Sequence, residues 1–205
     1  AKDRTTMNAQ EVKDSTASHL LTALIYTALS VVLLGLVYPL VMTGIALLLF
    51  HNQANGSLVY VNGRPVASAI IGQLWTKPQY FHGRPSAAGK GYDPTSTGGT
   101  NLGPTSKKLI DSTRAAIAAL RKENPQATDP IPMDLVTSSG SGIDPDISPE
   151  AAYYQAPRVA AARGVTVAQV RAVIDRHVQP RTLGFLGEPR VNVLELNLAL
   201  DAGKR

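Results

Sequence analysis

The sequence predicts a single-pass transmembrane helix followed by one α+β soluble domain. Three observations carry that prediction. One long run lacks charge, one short stretch signals a β-hairpin, and several later segments repeat at helical spacing.

The uncharged run extends from Leu20 to Phe50, LLTALIYTALSVVLLGLVYPLVMTGIALLLF. About 20 apolar residues suffice to cross a hydrocarbon core of roughly 30 Å. A run this long crosses with tilt or protrudes beyond the core. It also exceeds the roughly 7–15 residues of a signal-peptide core, and the HNQANGS that follows does not read as a cleavage site. Gly35 and Pro39 lie inside it, and proline predicts a kink. The chain therefore divides into a tail at 1–19, a span at 20–50 and a soluble domain at 51–205.

Charge beside the span sets orientation. Lys2, Arg4 and Lys13 precede it, and Arg64 is the nearest base after it. This bias predicts a cytoplasmic N-terminus and an exported domain. The chain has no cysteine, which excludes a disulfide scaffold and a thiolate metal site. Net charge is +5 with a pI near 9.6. The bases are scattered, with no basic stripe interleaved with aromatics, so nucleic acid is not an expected partner.

After the span, SLVYVNGRPVAS places two β-prone runs around Asn62-Gly63, and Asn-Gly predicts a tight hairpin. Next comes FHGRPSAAGKGYDPTSTGGTNLGPTS, Phe81 to Ser106. Leu109, Ile110, Thr113, Ala116, Ile117 and Leu120 then fall on one helical face, which ends at Asn124-Pro125. Ser148-Pro149-Glu150 opens a second helix with a capping hydroxyl, a proline at the first position and an early acid. Pro157 is expected to divide that helix, and Gly164 to end it. Thr166 caps a third helix. Glu188-Pro189 is expected to start a fourth, although its Val/Leu/Asn alternation also allows a strand.

The glycine-rich loop does not match a known catalytic cradle. Gly83 and Gly89-Lys90-Gly91 imitate a phosphate loop, but five residues separate the first two glycines and Gly91 replaces the hydroxyl that would hold Mg²⁺. Asp144-x-Asp146-x-Ser148 imitates a calcium loop, but Pro149 and Gln155 occupy the positions of its glycine and final glutamate. His19, His51, His82 and His177 lie far apart, and no nucleophile signature occurs. No catalytic residue, no metal site and no cofactor of the chain's own is expected. The loop is not a simple linker either. Trp75, Tyr80 and Phe81 bracket it, and Arg84, Tyr92, Asp93 and Asn101 lie within it, which predicts an ordered functional loop.

Four blocks carry a family resemblance: GQLWTKPQYFHGRPS, YDPTSTGGTNLGPTS, DLVTSSGSGIDPDISPEAAYYQAPRVA and LGFLGEPRVNVLELNLALD. In this order after one span, they resemble the C subunit of the bacterial Kdp-type potassium-transporting ATPase, from about Leu20 to Asp201. The resemblance implies a bacterial inner-membrane complex. Its partners would be a channel-like potassium-translocating subunit, a P-type ATPase subunit and a small extra membrane peptide. The C subunit would be a non-catalytic accessory part needed for assembly and activity.

Two mechanisms follow from the resemblance. In one, the domain docks outside on the potassium-uptake subunit, with Arg84, Tyr92, Asp93 and Asn101 as contacts. A second loop, Asp134 to Asp146, would complete the surface with Asp134, Asp144, Tyr153, Tyr154 and Arg158. In the other, the subunit raises the ATP affinity of its partner through a stretch likened to the ABC-transporter signature. Here that stretch is Ser96-Thr97-Gly98-Gly99-Thr100-Asn101, and Thr97 interrupts the Ser-Gly-Gly. Its nucleotide candidates are Ser96, Gly98, Gly99 and Asn101, and ATP would be reached only through the complex. A third reading, from another class, is a membrane-tethered domain for a small ligand. A plain structural role is open for each residue: Arg84 would pair with an acid, and Asp93 and Asp144 would make Asx turns before proline.

Overall fold

The computed structural model describes residues 16–203. They form two compact units that divide after Asn55.

The first unit is one continuous helical run, Thr16–Leu49, long and apolar enough to cross a membrane. It starts four residues before the uncharged stretch. At 1.5 Å per residue it extends about 50 Å, more than a bilayer core needs. No residue in it is buried. It comprises α1 (Thr16–Ser30), a π-helical stretch (Val31–Val37) and α2 (Tyr38–Leu49). The short α3, His51–Ala54, follows.

The π stretch is the form the expected proline distortion takes. Pro39 has no N–H to offer the Gly35 carbonyl, and its ring crowds that carbonyl. The preceding turns widen instead of breaking, and the Tyr38 N–H reaches five residues back to Leu33 O. The basic residues used to predict orientation, Lys2, Arg4 and Lys13, lie outside the described residues.

The second unit begins at Gly56. Strands β1 (Leu58–Val61) and β2 (Arg64–Ser68) pair antiparallel. Asn62 and Gly63 both have positive φ, 52° and 75°, as a two-residue primed turn requires. No regular element then occurs until α4, Lys107–Glu123. Helix α4 has an amphipathic pattern and only half-buries it: Leu109, Thr113, Ala116, Ile117 and Leu120 are partly covered, and Ile110 is exposed.

The core gathers around α5, Pro149–Arg163. Ala151, Ala152, Tyr154, Ala156, Val159 and Ala160 of this helix are buried. Helices α6 (Val167–His177) and α7 (Val193–Ala202) supply Val170, Ile174, Leu196 and Leu200. A small antiparallel sheet has the order β3 (Asp146–Ile147), β5 (Arg190–Asn192), β4 (Val178–Gln179).

The helix caps follow their sequence signals. Ser148 Oγ accepts the Ala151 N–H, Gly164 closes α5 in the left-handed conformation, and Thr166 with Gln169 forms a capping box on α6. Two expectations are corrected. Pro157 does not divide α5, which runs unbroken because packing on both sides of the proline offsets the one missing hydrogen bond. The C-terminal helix does not begin at Glu188-Pro189. Arg190–Asn192 is a strand, and the Asn192 side chain caps α7 by accepting the Glu195 N–H. The sheet needs that central strand, so both the helical and the extended readings of this segment hold, one after the other.

Candidate docking site

The glycine-rich loop is ordered by side-chain clamps from the helices beneath it. Asn197 on α7 is wholly buried. Its Oδ1 accepts the Phe81 N–H at 2.8 Å, and its Nδ2 donates to Phe81 O at 3.0 Å. Gln155 on α5 repeats the device one residue on, accepting from His82 N and donating to His82 O. Each amide thus does for one extended residue what a neighbouring strand would do. Arg163 holds the approach to this segment, donating to Gln79 O, Leu200 O and the Asp201 carboxylate. The Phe81 side chain itself lies fully in the core.

Beyond the clamps, two loops lock together. Arg84 donates to the Asp144 carboxylate at 3.1 Å and to Ser138 O. Ser86 Oγ donates to Gly142 O and accepts the Ala88 and Tyr92 N–H groups. Gly98 N–H donates to Ser141 O at 2.8 Å. Tyr92 is buried, and its phenol donates to Arg84 O at 2.6 Å. Burial, and next the Asp144 carboxylate, push that phenol up to about 12, so it stays protonated and donating. The Tyr92 ring explains two glycines. A Cβ on Gly72 or on Gly83 would collide with it, so neither position tolerates a side chain. Gly83 is there for steric room, not for phosphate.

The predicted site residues fall into four places. Arg84, Asp134, Asp144 and Tyr153 line one open groove of about 1000 Å³. Tyr92 lines a smaller cleft of about 510 Å³. Asp93, Ser96 and Asn101 lie on the loop's outer part. Asp93 makes the Asx turn to Thr95, and those bonds hold its carboxyl below the usual carboxylate range. Asn101 is exposed with φ of 51°. Gly98 and Gly99 rest against the backbone of residues 139–142.

Two residues turn inward. Tyr154 is 3% exposed and belongs to the core. Arg158 spends its guanidinium on Asn124, Pro78 O, Tyr80 O and Gln155. Asp134 is bound to its own chain, accepting from the Ser148 N–H and Oγ–H. Asp144 makes the Asx turn to Asp146 in addition to its pairing with Arg84.

Sequence reasoning did not single out Gln155, Asn197 or Arg163 as structural clamps, nor Asp129, Met133, Glu150, Glu188 and Arg190 as groove residues. Polar residues inside apolar helical faces, such as Asn197 within LELNLALD, are the signal that could have marked the clamps. Among the described residues, no group of three or more His, Asp or Glu side chains converges as metal ligands.

A single apolar helix long enough to cross a membrane, joined to one α+β domain whose loops are clamped into a platform, defines a single-span α+β protein. The chain belongs to the KdpC family: the family described as "KdpC: K+-transporting ATPase, c chain" matches residues 20–202. A Caulobacter vibrioides protein named Potassium-transporting ATPase KdpC subunit is 58% identical over 186 residues, covering 90% of this chain and 93% of its own. Proteins of the same name from Myxococcus xanthus and Koribacter versatilis are 57% and 52% identical. They cover 90% and 89% of this chain, and 88% and 94% of their own length.

Proposed function

We propose that this chain is a non-catalytic accessory subunit of an ATP-driven, high-affinity potassium uptake pump. It supports assembly and activity by docking on a channel-like potassium-translocating subunit and on the P-type subunit that hydrolyses ATP. A small fourth membrane peptide completes the complex. The span anchors the chain in the bacterial inner membrane, with the N-terminus cytoplasmic and the soluble domain periplasmic.

One observation carries this reading: identity of more than half, over nine-tenths of the chain, to proteins named as KdpC subunits of a potassium-transporting ATPase. The geometry supports docking in particular. Long glycine-rich loops are normally mobile, and ordering them on binding costs affinity. Here Asn197, Gln155 and the Arg84–Asp144 pair have already ordered them. The nucleotide alternative has less support. A phosphate cradle needs free backbone N–H groups, and that of Gly98 already donates to Ser141 O.

The test joins location to assembly. The chain has no cysteine, so a single introduced thiol is a specific probe. Ser139 is 7% exposed and its hydroxyl accepts the Gly142 N–H, so Ala118, exposed on α4, is the better site. In cells with a permeabilised outer membrane, Ala118→Cys is expected to react with a membrane-impermeant maleimide before lysis. The labelled chain is expected to co-purify with the other pump subunits. Labelling only after lysis would reverse the orientation and make nucleotide assistance the leading mechanism. Loss of co-purification would overturn the subunit assignment.

A further inference from the structure

The groove that Arg84, Asp134, Asp144 and Tyr153 share has a chemistry that their individual roles do not explain. Its floor is apolar, built from Ile131, Met133, Ile147 and Pro189. Met133 is 75% exposed, and an unbranched thioether adapts its shape to a partner. Six carboxylates surround this floor: Asp129, Asp134, Asp144, Asp146, Glu150 and Glu188. The bases lining it are Arg84 and Arg190, and Arg181 just outside pairs with Glu188, so the groove together with that partner carries a net charge of −3 on a chain whose net charge is +5. Asp129 and Glu150 are exposed, and their carboxylates make no hydrogen bond or ion pair among the described residues. Burial and the neighbouring Asp144 carboxylate push the Asp146 carboxyl up, against the pull of Arg190.

Resting on the subunit assignment above, we propose that this groove seats a short segment of another subunit of the same membrane assembly. That segment presents an aliphatic or aromatic side chain to the floor and Lys or Arg to the acidic rim. A bare cation does not fit, because the groove is about 1000 Å³ and its acids do not converge as ligands. Nor does an added β-strand, because the N–H groups of Asp146 and Ser148 at the edge strand are taken by the carboxylates of Asp144 and Asp134. Recognition is therefore by side chains. A charge-reversed rim beside an apolar centre is the arrangement that steers and registers a basic partner.

The test is a site-specific crosslink in the full chain, co-expressed with the other subunits. Met133→Cys carries a benzophenone maleimide, and the photoadduct is identified by mass spectrometry. The expected adduct is one peptide of another subunit with Lys or Arg within a few residues of the attachment point. Combining it with Asp129→Lys and Glu150→Lys is expected to lower the yield about tenfold. The neutral pair Asp129→Asn and Glu150→Gln is expected to give a smaller loss, and it serves if the reversal impairs folding. An adduct to lipid, to a second copy of this chain or to a peptide without a base would overturn the proposal. So would a yield indifferent to both charge changes. If the chain co-purifies with the other subunits but Met133→Cys gives no adduct, the groove assignment falls and the subunit assignment stands. If it does not co-purify, both fall.

Discussion

Asn197 and Gln155 show how much one side chain can carry. Each satisfies both backbone groups of a residue that has no strand partner. Replacing Asn197 by leucine keeps the volume and removes both partners of Phe81 at a fully buried position. An unpaired buried group costs about 1–3 kcal/mol, so Asn197→Leu is expected to lose about 3 kcal/mol or more. Thermal unfolding should show Tm lower by roughly 6–12 °C for a domain of this size. A shift of only a degree or two would mean that the clamp is dispensable. His82 gives the pH-dependent counterpart. Burial, and next the Arg158 guanidinium, lower its pKa from 6.5, although Glu123 lies 3.4 Å away and pulls the other way. Glu123 loses that contest because its side chain is nearly half exposed, where water screens it. The folded state therefore resists protonation more than the unfolded chain. The stability that neutral His82 supports is present above 6.5 and is lost as pH falls below it. Between about pH 7.5 and about pH 5.5, the wild-type Tm should fall further than that of His82→Gln. Parallel curves for the two proteins would count against this assignment.

At the scale of elements, α5 is the organiser. It supplies the core, one clamp and the guanidiniums that tie down residues 78–80. It does so with Pro157 in its interior, where a proline costs about 3 kcal/mol in a helix. The helix survives because Ala156, Val159 and Ala160 are buried around the proline and Arg158 is bonded to four partners. Pro157→Ala restores one backbone hydrogen bond at a half-buried position. It is expected to raise stability by about 1–3 kcal/mol in urea unfolding. A loss of stability would show that the proline's shape is itself required. Elements with local signals were legible from the sequence. The hairpin at Asn62-Gly63, the Ser148 and Thr166 caps and the stop at Gly164 all stand where neighbouring residues place them. Pro157 and the β5–α7 boundary were misread, because burial and a strand partner outside the local window override propensity there.

At the scale of the molecule, composition and order carry the reading furthest. The apolar run and the four ordered blocks marked a single span and the family, and the family match covers 20–202, nearly the range read from the blocks. Of the candidate site residues, Arg84, Asp134, Asp144 and Tyr153 line one groove, a proximity that no local pattern in the sequence signals. Tyr154 lies in the core, and Arg158 is bonded to Asn124, Pro78 O, Tyr80 O and Gln155 of its own domain. Residue type does not reveal which side of a helix the core will take. What the sequence by itself determined is therefore the turns and the caps, which rest on interactions among residues a few positions apart, the span, which rests on the composition of one continuous run, and the kinship, which rests on the order of blocks along the chain. Only the tertiary structure decided the clamps, the room that Gly72 and Gly83 leave for Tyr92, and the acidic groove. Phe81 and Asn197 lie 116 positions apart, and His82 and Gln155 lie 73 apart. Contacts at such separations, and a charge summed over four separate segments, exist only once the chain has closed on itself.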